Sequence, residues 1–369
     1  MRLALREMRR RPGNFVTAAV LLTLIAALLM LLGGLLDGLI LRSTGAIRAQ
    51  RADLVVFSAT AEQSFLRSRV TPQTRVRVAA VPGVTSVGGI GVTQLGARIP
   101  GNGPRDLSDV ALFGYEHAPE GVLAPPAPGE AWADSILRDD GVRAGMTLKL
   151  GPARTPVKVA GFVDDVSYSG AGTLWASPAT WRSVQNANRP ASSVGPGVFQ
   201  ALVVRTDRDP AAVADAIDAT TDGATSTVTR ADAADAIGGV KQQRSVFNQI
   251  IGVTLVIATV VVALFFALLT VERIGLYGVL KAIGARSRTL FGGVVAQAIV
   301  IAATAAVIGT GLSVLLDVAL PPGTIPYQLL PSRVVVSCVA LLIAAIVGSA
   351  FSLRRVLRVD PASAIGRVS

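Results

Sequence analysis

Four stretches of this chain hold no charged residue: Phe15–Leu36, Val246–Val271, Thr289–Leu316 and Val334–Leu353, of 22, 26, 28 and 20 residues. At 1.5 Å rise per residue, about 20 predominantly apolar residues cross a ~30 Å hydrocarbon core, so each stretch suffices for a spanning helix. Composition agrees, with 51% hydrophobic and 16% charged residues against roughly 25% charged in a soluble domain. A soluble enzyme and a disordered tail are both excluded. The expected fold class is a membrane protein of four transmembrane α-helices, with a large extracytoplasmic α+β domain between helices 1 and 2. The expected divisions are an interfacial helix over 1–13, spans over 14–41, 246–271, 289–318 and 334–353, an extracytoplasmic domain over 42–245, a cytoplasmic coupling helix or loop over 272–288, a short outer loop over 319–333 and a cytoplasmic tail over 354–369.

Charge orients these segments. The two terminal flanks and the 272–288 loop together carry 13 basic and 3 acidic residues, whereas 42–245 carries 21 basic and 19 acidic. Short flanks rich in Lys and Arg stay cytoplasmic, while long domains translocate largely regardless of charge. Both termini are therefore expected inside and the long segment outside. The net charge of +11 is then a topology signal with some attraction to anionic lipid, and no run combines basic with interleaved aromatic residues as a nucleic-acid site would. The first uncharged stretch exceeds the 7–15 residues of a signal-peptide core, so it is expected to remain as a span.

Met1–Arg11 alternates basic with apolar residues, which suits a helix lying on the inner interface, and Asn14 is expected to cap the first span after Pro12-Gly13. In the long segment, Leu54–Phe57, Ala111–Tyr115, Thr147–Leu150, Val157–Phe162 and Gln200–Arg205 read as strands between Gly or Pro signals, and Val84–Val92 as a strand broken at Gly88-Gly89. Thr71–Val81, Pro178–Val184 and Asp209–Ala219 read as helices, Ala118–Gly129 with its four prolines as a loop, and Asp232–Arg244 as a helix leading straight into the second span.

Motifs for chemistry are missing. No lysine follows a glycine, so there is no Walker A loop to cradle a nucleotide, and neither G-x-S-x-G nor H-E-x-x-H occurs. His117 alone cannot build a zinc site, and it reads as a solvated loop residue. Asp139-Asp140 and Asp164-Asp165 read as turn residues. Cys338 stands alone, so no intrachain disulfide can form. No metal, catalytic residue or bound cofactor is expected.

Polar residues of the spans gather toward their outer ends: Asp37, Asn248, Gln249, Asp317 and Arg333. Charge is costly in a span but cheaper near the interface. Interfacial snorkelling explains them, and the sharper expectation is an ion pair between Asp317 and Arg333 across the short outer turn. Gly34 and Gly38 form a G-x-x-x-G that allows close helix approach. After the second span, Ile274, Tyr277, Leu280 and Ile283 recur every three residues, compatible with one helical stripe, and Gly284 is placed to end it. Such a helix serves equally as a handle for a partner or as an ordinary interfacial connector.

The run from Glu272 and Arg273 through Tyr277, Gly278, Leu280, Lys281, Ala282, Ile283, Gly284 and Ala285 resembles the E-x-x-x-x-x-x-x-L-K/R-A-I/L-G-A signature of FtsX-like permeases, the MacB/FtsX/DevC-type subunits of bacterial ABC systems. The end of the chain, with Arg354, Arg355, Pro361, Ala362 and Ala364, is similar to that family's R-R-x-x-x-x-x-P-A-x-A-L tail. Val81–Val84 and the pattern over Gly145–Phe162 resemble its periplasmic core domain. Gly275-Leu276-Tyr277-Gly278 departs from the R-E-I-G common in the family and is closer to its DevC-like branch, and no ATPase domain is fused to the chain.

The resemblance implies a permease of the bacterial cytoplasmic membrane that is not itself an enzyme. Two copies of a separate ABC ATPase, with their ATP and Mg, would bind the 272–285 coupling helix and draw a permease homodimer together. Export or mechanotransmission would follow at the outer face, for a hydrophobic molecule, lipid, lipoprotein or peptide. A scaffold activating an extracytoplasmic cell-wall hydrolase and a peptide-sensing partner of a two-component system are the alternatives. An extracytoplasmic adaptor, hydrolase or binding protein would complete the assembly.

Overall fold

Helix α1 runs from Pro12 to Arg48 without a break. Its 37 residues make it about 55 Å long, well beyond the hydrocarbon thickness. It opens at Pro12 rather than at an Asn14 cap, because a first-turn residue has no N–H partner to lose and proline's fixed φ suits that position. The computed structural model describes residues 12–103, 106–164, 166–272, 283, 287–319 and 325–356; the interfacial helix expected over 1–13 falls almost wholly outside them. Four helices are long and apolar enough to cross a membrane, within Phe15–Arg48, Val240–Val271, Gly292–Ala319 and Pro331–Phe351. The chain divides into two compact units, Leu39–Gln243 and the remainder.

The 39–243 unit is α+β. In chain order it contains β1 Leu54–Ser58, α2 Pro72–Ala79, β2 Val84–Arg98, β3 Leu107–Tyr115, β4 Glu130–Asp134, β5 Thr147–Leu150, β6 Thr155–Val163, β7 Gly172–Ala176, α3 Pro178–Asn188, β8 Ala201–Thr206, α4 Pro210–Thr220, β9 Thr225–Thr229 and α5 Arg230–Asp235. The strands follow the order β3-β7-β4-β6-β5-β2-β8-β1-β9, and β3 also pairs with β2. Six strands therefore close into a ring, and β8, β1 and β9 extend from it. The device is β2, whose first half pairs with β8 and whose last two residues, Ala97 and Arg98, pair with β5.

Three helices announce themselves by a cap followed by proline. Thr71, Ser177 and Asp209 each accept from the backbone N–H three residues on, at 3.2, 3.3 and 3.1 Å, with Pro72, Pro178 and Pro210 next in sequence. Strand β2 is not broken at Gly88-Gly89. Glycines of β2 and β3 make room for rings: a Cβ at Gly89 would enter the Phe199 ring, and one at Gly91 or, on β3, at Gly114 would enter Trp181. Those two rings stack at 6.2 Å. Trp181 also donates its indole N–H to Thr93 at 3.0 Å. On the other side of the sheet Phe113 stacks on Trp175 at 4.5 Å, with Tyr115 edge-on to it.

One core cluster of this unit contains Ala46 and Ile47 from the end of α1 together with Val240, the residue that opens α6 (Val240–Val271). The expected continuous helix from Asp232 is interrupted: α5 stops at Asp235, and the chain turns through Gly239, at a φ of +87° that glycine adopts without strain, before α6 begins.

In the other unit α1, α6, α7 (Ser287–Ala319) and α8 (Pro331–Val356) share an apolar cluster. Phe15, Ala18, Leu22 and Ala26 form the buried stripe of α1, facing Val262, Phe266 and Leu269 of α6, Ala298, Ala302 and Ala305 of α7 and Leu341 and Ala345 of α8. Small residues carry this packing because lipid is as apolar as leucine, so close van der Waals contact between helices replaces water exclusion as the drive. Gly309 lies against Ala26, and Gly348 against Thr259 and Val262.

Candidate functional site

The coupling segment begins where α6 ends. Glu272 donates its backbone N–H to the Leu268 carbonyl at 3.0 Å, and Ile283 is exposed at 79%. Arg273, Tyr277, Gly278, Leu280, Lys281, Ala282, Gly284 and Ala285 lie outside the described residues. Arg354 and Arg355 fall in the last turn of α8, their side chains outside the description, as are Pro361, Ala362 and Ala364.

Pro331 opens α8, which puts Arg333 in its first turn. Arg333 meets Asp37 of α1 in place of the expected Asp317: Nε donates to one carboxylate oxygen at 2.9 Å and Nη2 to the other at 2.6 Å. The planar guanidinium matches the carboxylate fork, and two charge-assisted bonds offset the cost of holding both charges away from water. Side-chain exposure is 24% for Arg333 and 11% for Asp37. Asp317 is exposed near the end of α7.

Glycines make the pair possible. Gly33 is one helical turn before Asp37 on the same face, and a Cβ there would come 2.6 Å from Arg333 Cδ. Gly34 and Gly38 do not serve a second helix. The Tyr327 ring lies on Gly34, and the Pro326 carbonyl on Gly38. Gln328 donates its N–H to the Gly34 carbonyl at 3.1 Å, and the Tyr327 hydroxyl donates to the Ser313 carbonyl of α7 at 3.3 Å. The G-x-x-x-G face is thus filled by the segment between α7 and α8. Sequence reasoning missed Gly33, Pro326, Tyr327 and Gln328; the available signal was Gly33-Gly34 and Gly38 bracketing a charged residue inside a span.

Among the described residues of the 39–243 unit, no catalytic constellation assembles. Ser86 Oγ is 3.2 Å from His117 Nδ1, but His117 is exposed. Its neighbour Glu116 is committed to Arg75 at 2.8 Å and to the Gly89 N–H at 2.7 Å. Asp139 and Asp140 sit in a turn, as expected. No group of three or more metal-ligating side chains occurs among the described residues. The shifted groups are structural: burial raises the Tyr115 phenol, which donates to the Leu123 carbonyl, and pushes Tyr168 up to about 12, while burial lowers Arg69.

Residues 248–361 match the model of the FtsX-like permease C-terminal family. An uncharacterized ABC transporter permease of Mycobacterium bovis is 28% identical over 373 residues, covering 98% of each chain. A putative hemin transport system permease protein, HrtB, of Staphylococcus haemolyticus is 31% identical over 132 residues, which are 36% of this chain and 37% of that protein. Among solved structures, the periplasmic region of MacB from Actinobacillus actinomycetemcomitans covers 50% of this chain and 92% of its own, at 11% identity and a TM-score of 0.35. The chain carries the C-terminal domain of the FtsX-like permeases and is related along its length to proteins described as ABC transporter permeases.

Proposed function

We propose that this chain is the membrane subunit of an ABC complex, working as a homodimer with two copies of a separate ATPase that bind ATP and Mg. Residues 272–285 are its coupling segment, on the cytoplasmic side with both termini and the 354–369 tail. The 13-to-3 excess of basic over acidic residues in those three segments supports that orientation. The observation that carries the mechanical part is the cluster holding Ala46, Ile47 and Val240. The helix that leads into the 39–243 unit and the helix that leads out both end in one apolar core, so a displacement of α1 or α6 is delivered to the sheet domain rather than absorbed in a loop.

The uncharged interiors of all four spans offer no polar route for a hydrophilic solute. Work at the outer face therefore fits best: export of a hydrophobic molecule, lipid, lipoprotein or peptide, or motion passed to an extracytoplasmic adaptor or cell-wall hydrolase. The similarity to the hemin permease covers too little of either chain to carry its substrate here. Purification in mild detergent followed by mass spectrometry tests the reading. A stoichiometric Walker-containing ATPase, lost in Leu280→Asp with membrane insertion intact, is expected. An external enzyme recovered without any ATPase would contradict it.

A further inference from the structure

Between β3 and β4 the chain runs through Ala118–Gly129, and residues 123–128 of that loop read Leu-Ala-Pro-Pro-Ala-Pro. Proline fixes its own φ near −65° and pushes the residue before it to extended backbone. Ala124, Pro125 and Ala127 each precede a proline, so local sterics hold this run close to polyproline II, a helix of three residues per turn. Pro125 and Pro128 are one such turn apart and lie along one edge of it. Burial agrees: Leu123 is exposed at 58%, Ala124, Pro125, Ala127 and Pro128 are exposed, and Pro126 is half-buried.

Both ends of the run are pinned. The Tyr115 hydroxyl donates to the Leu123 carbonyl at 2.6 Å, and the Trp132 indole N–H to the Ala124 carbonyl at 3.0 Å. At the far end the Glu130 N–H donates to the Ala127 carbonyl at 3.0 Å. Pro128 and Gly129, the latter at a φ of +80°, are the central residues of that turn, as type II geometry favours. Behind the run, Val122 is buried in the cluster that holds Ala46 and Ile47. Glu120 donates its N–H to the carbonyl of Ala49, the residue after α1, at 2.7 Å. The loop therefore has its base in the core that receives α1 and its apolar tip in the open.

Consecutive exposed apolar residues are avoided unless they are used. We propose that Leu123–Pro128 is a docking element for an extracytoplasmic protein whose groove is lined by aromatic side chains. Such grooves accept two prolines one turn apart and gain from a ligand that is already extended, because little ordering remains to be done on binding. A lipid surface fits less well. Among the described residues no N–H or O–H reaches the Pro125 or Pro126 carbonyl. Acyl chains would leave those acceptors unmet, whereas tyrosine or tryptophan donors beside the groove can take them.

The docking element rests on the outward placement of 42–245 and is independent of the ATPase. The test uses the full chain in intact cells. Leu107→Cys, exposed on β3, in a Cys338→Ser background, is expected to react with a membrane-impermeant maleimide; no reaction would overturn the outward placement, and the docking element with it. A photo-crosslinking residue in place of Ala124 is then expected to give one dominant protein adduct. Pro125→Ala with Pro128→Ala should weaken that adduct about tenfold or more, equivalent to ~1.4 kcal/mol of binding. Both side chains are exposed, so membrane yield and protease resistance should stay unchanged. An excess of free peptide with the sequence of 123–128 should weaken the adduct of the otherwise unaltered loop in the same way, and Ala127→Ser should not. No adduct, adducts to lipid alone, or a protein adduct indifferent to both the prolines and the peptide would overturn the proposal.

Discussion

Arg333 and Asp37 stand 296 residues apart in the chain and meet in a two-pronged ion pair. The pair joins the first turn of α8 to α1, and its geometry depends on a glycine, Gly33, beneath the arginine stem.

Gly33→Leu and Gly38→Val are expected to destabilise the spans by about 1–3 kcal/mol each, the usual cost of overpacking a close contact. Gly38→Val should cost the more, because its Cβ would meet a backbone carbonyl, which cannot rotate aside. Thermal unfolding in detergent, followed by size-exclusion recovery, reads both. Gly252→Ala, which has open space around its Cβ position, should be neutral or slightly stabilising.

Removing one partner of the pair should cost more than removing both. Arg333→Met with Asp37→Leu, two apolar replacements, should unfold at a higher temperature than Asp37→Leu alone, which strands the cation. Equal midpoints would show that water reaches the arginine freely.

Trp181 is fully buried against Gly91, Gly114 and Phe199. Trp181→Ala should destabilise the 39–243 unit by about 3–5 kcal/mol, as large aromatic deletions do. Limited proteolysis of the membrane-embedded chain should then cut within 42–245 while leaving the spans protected.

Tyr168 has its folded-state pKa raised to about 12 by burial, above the ordinary value of 10.0. Its stabilising neutral form is fully present below pH 10; between pH 10 and 12 the unfolded chain gives up the proton while the folded chain keeps it, so stability falls as pH rises. Tyr168→Phe should flatten that part of the stability profile. An unchanged profile would remove Tyr168 as its source.

Much of this arrangement is legible in the chain because the bilayer imposes a coarse rule. Uncharged runs of 20 or more residues mark the four helices, and Pro210 in a first-turn position marks one helix of the sheet domain. Strands β4, β7 and β9 were not visible. β4 is Glu-Ala-Trp-Ala-Asp and β9 is Thr-Ser-Thr-Val-Thr, and neither carries the apolar alternation that marks a half-buried strand; their pairing is decided by neighbours distant in sequence. Gly88-Gly89 read as a break because glycine weakens strands, yet here the missing side chains admit Phe199 and His117. The ion pair was misassigned for a related reason. Proximity in sequence favoured Asp317, while the register between α1 and α8, which no local pattern encodes, brought Asp37 to the arginine.

The central claim is that the 272–285 segment receives a separate ATPase. A photo-crosslinking residue in place of Ile283, an exposed side chain of that segment, tests it in intact cells, with the same group at the exposed Val335 of α8 as control. The expected result is one dominant adduct from position 283, to a Walker-containing ATPase, and none to that protein from position 335. Adducts from 283 to lipid alone, or to the same proteins as from 335, would contradict the claim.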